Sequence, residues 1–472
     1  MVKMGEDDLI DSEELVEEVQ KLLEQLFPIC RSITGNGVRK SLSILTHISK
    51  FEVKEIQTGT KCFDWEIPNE WNVESAYLED ENGKQVLNFN ENNLHLLNYS
   101  TPIDKIVSFE ELKDHIHTMP ELPEAIPYRT TYYSKNWGFC MSYEQFLELD
   151  SKLRYHVCIK TKLEPGSLTY GEEILKGESG IEFIISTYCC HPSMGNDNLS
   201  GMIVWILLLR ELKRRKTKHG YRFIIAPETI GVIGYLQRNK DNITNVVGGY
   251  VLTCNAGPGR YEYKRSFLGN CKIDFISEEV LRETGKNFEI SEFDIRGSDE
   301  RQFSSPGFRI PIGVLTKSKF TEYDYYHTSL DNLMFIDVKN ILSTLRIYLG
   351  IIDKLEKSQN DSFRERETSY TDSTEKGRVL HSLNPFCEPM LSKRGLFPTI
   401  GGQNHKRSNN STEDSGENLR IEIDSIMWLM FYADGNTNLE FISDRSNIPI
   451  PVLEQAITKL EGCNLLKKYD SI

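Results

Sequence analysis

The sequence lacks the signals of membrane and secreted proteins. Its longest apolar run, Met202–Leu209, is much shorter than the about 20 residues that a membrane-spanning helix needs. A signal peptide needs a basic end followed by an apolar core, and the first residues, MVKMGEDDLIDSEELVEEVQ, do not provide one. The ten cysteines include no CxxC pair, so we expect free, mostly buried thiols. These absences together predict a cytoplasmic protein.

Basic residues are outnumbered by acidic residues. Lys and Arg number 55 against 70 Asp and Glu, which leaves a net charge of −15. This balance argues against nucleic acid or anionic membranes held by bulk electrostatics. Hydrophobic residues make up 39% and charged residues 26% of the 472 residues, which is typical of a globular protein of about two to four domains.

The hydrophobic pattern changes along the region before residue 160. Residues 12–27 place leucine and valine at helical spacing and predict an amphipathic helix. Short alternating segments then occur within residues 61–159, at Val73–Tyr77, Gln85–Phe89 and Leu94–Leu97. They predict an inserted β-rich domain.

After residue 180, apolar strands alternate with helices. The predicted strands are 182–187, 221–226, 249–254 and 311–315, and the predicted helices are 199–212, 230–238, 277–284 and 337–357. This alternation predicts an α/β fold with a mainly parallel sheet and helices on both faces, in a catalytic domain split between residues 10–60 and 160–357. In such sheets the site lies at the carboxyl ends of the strands.

The C-terminal part is predicted to be a separate domain, residues 377–472, joined by a linker at 358–376. A second polar stretch at 404–418 also has linker composition. Three predicted helices at 422–432, 439–446 and 451–461 with an edge strand at 465–469 are typical of a winged helix, usually a nucleic-acid reader. Residues 419–472 carry five Lys or Arg against eight Asp or Glu, which favours a packing or dimerisation module instead.

Ionisable residues follow several predicted strands. His191 and Asp197 stand six residues apart across one loop and could share a metal ion, although Asp197 could equally cap a helix. Glu228, in PET, is either a general base or an acid at a helix start. Asp299 lies in GSDERQF and His327 in YHTSLDN. A lone histidine is more often structural than a ligand.

The order of these motifs carries more information than each one alone. HP(x)4DNLSG, PETIG, GSDERQF and YHTSLDN together resemble the zinc aminopeptidase family that includes bacterial leucyl aminopeptidases, glutamate carboxypeptidase and glutaminyl cyclase. The resemblance implies that His191, Asp197 and His327 bind zinc, that Glu228 is the general base and that Asp299 helps to shape the catalytic site.

A closer resemblance covers essentially the whole chain. YRTTYYSKNWGFC, LEPGSLTYGE, YKRS, SDERQF and NPFCEPMLSKRGLFPTIGG are similar to an aminopeptidase-like group associated with polysaccharide biosynthesis. Members of that group carry an inserted β domain and a winged-helix-like end.

The sequence departs from the two-zinc pattern at two positions where the family has carboxylate residues. Thr229 stands where the family has a second Glu, and Cys254 stands where it has a ligand Asp. Three ligands suffice for one catalytic zinc, so we predict one tightly bound ion or a weak, labile pair. Cys254 could be a thiolate ligand, but burial as an ordinary core thiol is the preferred interpretation.

The motifs predict a zinc-dependent hydrolase that cleaves an amide bond of a small aminoacyl or sugar-linked substrate. Arg129, Trp137 and Tyr326 are predicted to contact substrate. For the cluster in the insert, Arg129, Tyr132, Tyr133 and Trp137, a hydrophobic core with an ion pair is the alternative. An acyl-transfer or cyclisation enzyme with one zinc and a degenerate scaffold remain open. We expect a small-molecule or short peptide-like partner, no membrane, no nucleic acid, and a homo-oligomer through the insert or the C-terminal domain.

Overall fold

The computed structural model describes residues 12–359, 363, 377–402 and 415–467. The strands, in chain order, are β1 (Glu52–Gln57), β2 (Lys61–Cys62), β3 (Trp65–Glu66), β4 (Glu70–Asp80), β5 (Gln85–Asn88), β6 (Ile103–Ser108), β7 (Ile116–His117), β8 (Phe139–Cys140), β9 (Arg154–Glu164), β10 (Ser167–Leu175), β11 (Glu182–Tyr188), β12 (Gly220–Ala226), β13 (Val246–Leu252), β14 (Tyr261–Lys264), β15 (Phe288–Ser291), β16 (Ile312–Lys317), β17 (Val379–His381) and β18 (Asp434–Asn438).

The α-helices are α1 (Glu13–Leu26), α2 (Asn36–Ile48), α3 (Phe109–Leu112), α4 (Tyr143–Leu147), α5 (Gly201–Leu212), α6 (Ile230–Asn239), α7 (Lys272–Glu283), α8 (Glu300–Phe303), α9 (Val338–Lys357), α10 (Ser415–Tyr432), α11 (Leu439–Ser446) and α12 (Ile450–Gly462). None of these described helices is long and apolar enough to span a membrane.

Eight strands form the central sheet, in the order β1-β10-β12-β11-β13-β16-β14-β15. The four strands β12, β11, β13 and β16 are parallel, whereas β10 and β14 run antiparallel to their inner neighbours. The predicted α/β fold with a mainly parallel sheet is confirmed. The carboxyl ends of the parallel strands meet at one edge, where a site is expected.

Two cores cover the faces of this sheet. Successive side chains of a strand point to opposite faces, and in β11 Phe183 and Ile185 join one core while Ile184 joins the other. The first core includes residues of α1, α2, α5, α7 and α9. Trp205 of α5 is fully buried there, between Phe51 and Phe223. Helix α5 is apolar on nearly all sides because it is enclosed on nearly all sides.

The second core joins the sheet to the insert. Strands β5, β4, β9 and β6 form a separate antiparallel sheet. Ala76 and Leu78 of β4 lie in the same core as Ile233 and Leu236 of α6. The insert therefore shares one hydrophobic core with this face of the central sheet.

The C-terminal unit combines α10, α11 and α12 with the two-stranded sheet β17-β18. Arg394 holds it to the loop beside β2 and β3, because its Nη1 and Nη2 donate to the two carboxylate oxygens of Asp64 at 2.6 and 2.9 Å. Phe431 of α10 stacks on Phe293, which follows β15 of the central sheet, with ring centroids 4.8 Å apart. The unit is thus anchored both to the loop between β2 and β3 and to the loop after β15.

Several predicted boundaries need correction. Residues 94–97 are not a strand, because Asn92 accepts from the Leu94 N–H and starts a short 3-10 helix at Asn93–His95. Helix α7 begins five residues before the predicted 277, and β13 ends two residues before the predicted 254. The described part of the second predicted linker, 415–418, is helical.

Other predicted segments are only partly described. Most of the predicted linker 358–376 lies outside the described residues. Of the predicted edge strand 465–469 only 465–467 is described, and Leu466 forms an antiparallel bridge to Ser382.

Gly201 is required where α5 meets the sheet. A Cβ there would lie 2.5 Å from the carbonyl oxygen of Leu252 at the end of β13. We expect Gly201→Ala to lower the free energy of unfolding in urea by about 1–3 kcal/mol, since backbone must move. Gly462→Ala is the matched control, because a Cβ at Gly462 meets nothing within 4 Å. Equal stability of the two variants would refute this packing argument.

Candidate metal and active site

Two strand-end loops bring the predicted metal ligands together. His191 follows β11, Asp197 lies in the turn before α5, and His327 lies in the loop after β16. His327 Nε2 is 3.0 Å from Asp197 Oδ2, and His191 Nε2 is 3.9 Å from the same oxygen. The ligand atoms of these three residues all lie within 4.8 Å of one another. Residues separated by up to 136 positions thus meet at one point, as the motif order predicts.

The chemistry of this group fits a zinc ion. Asp197 Oδ2 and His327 Nε2 are buried, and neither has a hydrogen-bond partner among the residues that the structure describes, although they are 3.0 Å apart. A buried carboxylate oxygen without a partner is costly, and a cation held between the two atoms would satisfy both. Two imidazoles and one carboxylate are a common donor set for catalytic zinc.

The protonation states also suit ligation. Burial lowers the pKa of His191 to about 4, so its imidazole is neutral at physiological pH. Burial opposes ionisation of Asp197, but His191, His327 and the Tyr188 hydroxyl lower its pKa to about 2. A neutral imidazole and an ionised carboxylate are the forms that bind metal.

Surrounding groups fix the orientation of these side chains. His327 Nδ1 lies 3.2 Å from the carbonyl oxygen of Gly402, which places the proton on Nδ1 and leaves the Nε2 lone pair free. The Tyr188 hydroxyl donates to Asp197 Oδ1. The loop itself is held by Asp331, which accepts from the N–H of Asn196 at 2.6 Å and from that of Asp197 at 3.0 Å.

Sequence reasoning gave no role to Tyr188 or Asp331. Tyr188 ends an apolar strand, and Asp331 follows His327 by four residues in a polar loop. Asp331 is fully buried, and burial raises its pKa to about 7. The only signal in the sequence is the closeness of Asp331 to His327.

The two predicted catalytic carboxyl groups occupy different positions. Glu228 Oε2 is 3.8 Å from His191 Nε2, and the Glu228 side chain is 27% exposed. Burial and the nearby Asp197 raise the pKa of Glu228 to about 7. Asp299 is fully buried, and its Oδ1 accepts from the N–H of Thr229 at 2.7 Å. Asp299 therefore positions the loop that carries Glu228.

The two departures from the two-zinc pattern lie near the site. Thr229 has φ 62° and contacts Asp299 through its backbone. Cys254 is buried and accepts from the Thr253 hydroxyl at 3.5 Å. Neither belongs to a metal-capable group among the described residues.

A second metal-capable group contains an unpredicted cysteine. The ligand atoms of Cys190, His191 and Glu228 lie within 4.8 Å of one another. Cys190 Sγ accepts from the N–H of Glu228 at 3.3 Å, and burial raises the pKa of its thiol. Cys190 therefore helps to hold the backbone at Glu228.

One cavity of about 330 Å³ opens over these residues. His191, Glu228 and His327 line it together with residues from all parts of the chain. The insert supplies Tyr128, Thr130, Tyr132 and Tyr133, the segment before α10 supplies Cys387, Glu388, Leu391 and Phe397, and α10 supplies Met427, Met430 and Phe431. Residues of the insert and of the C-terminal region thus line the same cavity.

The predicted substrate contacts lie outside this cavity lining. Arg129 donates through Nη1 to the carbonyl oxygens of Tyr128 and Gly402 at 2.9 and 2.8 Å, so its fork fixes the backbone beside His327. Trp137 stacks on His115 at 3.6 Å within the insert. Tyr326 stacks on His327 at 3.9 Å and supports that ring. None of the three is among the described residues that line the cavity.

Two family models match the chain. Residues 20–358 match a family described as a domain of unknown function, DUF4910, and residues 378–468 match a winged helix-turn-helix. The second match confirms the winged-helix prediction for the C-terminal unit.

Similar proteins and structures agree with these matches. A Clostridium acetobutylicum protein, provisionally named for polysaccharide biosynthesis with an aminopeptidase-like domain, is 40% identical over 97% of this chain and 98% of its own. A crystal structure from the same organism, provisionally titled a peptidase, is 39% identical over 98% of both chains, with a TM-score of 0.72. BSAP, a zinc aminopeptidase from Bacillus subtilis, is 14% identical over 72% of this chain and 95% of its own, with a TM-score of 0.53. At that identity the likeness to BSAP concerns the fold alone.

Asp331 offers a test of how the site is held. We expect Asp331→Asn to weaken zinc binding about 10- to 100-fold, because the amide cannot accept both N–H groups of the Asp197 loop. Competition with a chelating dye measures this affinity. Asp444→Asn, at an exposed position of α11, is the control. Unchanged zinc affinity in Asp331→Asn would contradict a positioning role.

Proposed function

We infer that this chain, which belongs to the DUF4910 family and carries a winged helix-turn-helix domain, is a zinc-dependent hydrolase of aminopeptidase type. Its substrate is a small aminoacyl or sugar-linked molecule with an amide bond. The observation that carries this proposal is the unpartnered pair of Asp197 Oδ2 and His327 Nε2, 3.0 Å apart and beside His191. Buried groups of this kind at a strand-end cavity are characteristic of a functional site.

The metal would be held by His191, Asp197 and His327. When bound there, zinc supplies Lewis-acid chemistry that polarises a carbonyl oxygen and favours ionisation of water. One ion suffices for this set, which supports one zinc per chain over two. The ten unpaired cysteines support a reducing compartment as the place of the reaction.

Glu228 is suited to move the proton. Its carboxylate lies at the cavity, 3.8 Å from a proposed ligand, and burial raises its pKa to about 7. A carboxylate with that pKa can accept a proton from the attacking water and return it to the nitrogen that leaves. Asp299 and Cys190 hold the backbone at residues 229 and 228 and so fix the direction of this carboxylate.

Strain in the backbone accompanies this arrangement. The non-glycine residues with positive φ include Ser193, Thr229, Cys254 and His327, with values of 43°, 62°, 51° and 57°. All four lie in loops at the carboxyl ends of parallel strands. Such conformations persist where the surrounding structure holds a functional geometry.

Replacing Glu228 tests the proposed chemistry. We expect Glu228→Gln to reduce turnover of an aminoacyl amide by about 100- to 10,000-fold, because the amide cannot accept the proton. Zinc content, measured by elemental analysis, should remain at the wild-type value. Glu279→Gln, at an exposed position of α7, is the control. Wild-type turnover by Glu228→Gln would rule out the general-base assignment.

A further inference from the structure

The winged helix-turn-helix domain contributes directly to the active-site cavity. Met427, Met430 and Phe431 of α10 line the same cavity as His191 and Glu228. Met430 and Phe431 are 6% and 5% exposed, so the wall they form is enclosed. A domain that served only as a linker or dimerisation module would have no need to reach the catalytic residues.

The domain is held firmly enough to shape the cavity. Phe431 stacks on Phe293, and Arg296 forms an ion pair with Asp424 of α10. Arg309 pairs with Asp434 and places its guanidinium 5.2 Å from the ring centre of Phe431. These contacts join α10 to two loops of the catalytic domain, which fixes the position of its methionines over the cavity.

The chemistry of this wall is apolar. Ile295, Leu391 and Phe397 also line the cavity, and they belong to the same hydrophobic cluster as the three residues of α10. Among the described residues that line the cavity, Asp, Glu, Lys and Arg are represented by Glu228, Arg301 and Glu388. Arg301 and Glu388 form an ion pair with each other, so neither offers an uncompensated charge.

We propose that α10 of the winged helix-turn-helix domain forms a binding subsite for an apolar side chain or acyl group of the substrate. The proposal rests on the proposed function only in placing the scissile bond at His191 and Glu228. A cavity of about 330 Å³ has room for a compact ligand with one such group. Methionine side chains are flexible and polarisable, and they adapt to apolar ligands of different shape.

The same contacts argue against nucleic acid as the partner of this domain. The apolar face of α10 is turned to the catalytic cavity, and residues 419–472 carry more acidic than basic side chains. Binding to phosphate backbones needs the opposite balance.

Primary n-alkylamines from methylamine to hexylamine test the subsite on the full-length protein by isothermal titration calorimetry. Burial of each methylene should tighten binding roughly fourfold in the wild type. In Met430→Ala we expect less than a twofold gain per methylene, because the wall is opened. Met334→Ala is the matched control, since Met334 is 93% exposed. Affinity independent of chain length in the wild type would overturn the proposal.

A second variant is available in case Met430→Ala is destabilised. If Met430→Ala melts at a lower temperature than the wild type, Met427→Ala, at a half-buried position, replaces it with the same expectation. A wild-type chain-length dependence in the variant that folds would overturn the subsite. The titration involves no turnover, so an inactive protein that still discriminates chain length contradicts the proposed function alone. An active hydrolase without discrimination contradicts the subsite alone.

Discussion

The structure depends on one buried carboxylate. Asp197 is fully buried, and its side chain lies near two histidines, His191 from its own loop and His327 from the loop after β16. Such a group is stable only if its charge is compensated. Tyr188 bonds one of its oxygens, while Asp331 holds the backbone of its loop through two N–H groups. The second oxygen has no hydrogen-bond partner among the described residues, and it is the point at which the proposed cation would bind.

The parallel sheet makes this convergence possible. Strands β11, β12, β13 and β16 end at the same edge, so loops far apart in the chain lie side by side. His191 comes from the first of these strands, Glu228 from the second and His327 from the last. The insert and the winged helix-turn-helix domain then close the space above the edge, which converts an open rim into a cavity. In this view the three parts of the chain form one site.

The fold and the proposed ligands could be predicted because they leave local signals. Apolar runs such as 182–187 mark strands, and a histidine or an acid directly after each run marks the strand-end loop. Contacts between distant segments leave no such signal. Met430 has the pattern of any residue on an amphipathic helix, and nothing in its neighbourhood indicates a cavity lined by His191. Arg129 is predicted to contact substrate, but in the structure its Nη1 donates to two backbone carbonyl oxygens and the residue is not part of the described cavity lining.

The central claim is that His191, Asp197 and His327 hold a single zinc ion. Anomalous diffraction from crystals of the zinc-loaded protein, recorded on both sides of the zinc absorption edge, tests it most directly. The account predicts one peak per chain, within bonding distance of the two imidazoles and the Asp197 carboxylate. The absence of a peak there, or a peak bound by Cys190, His191 and Glu228 that leaves Asp197 without a metal, would contradict it.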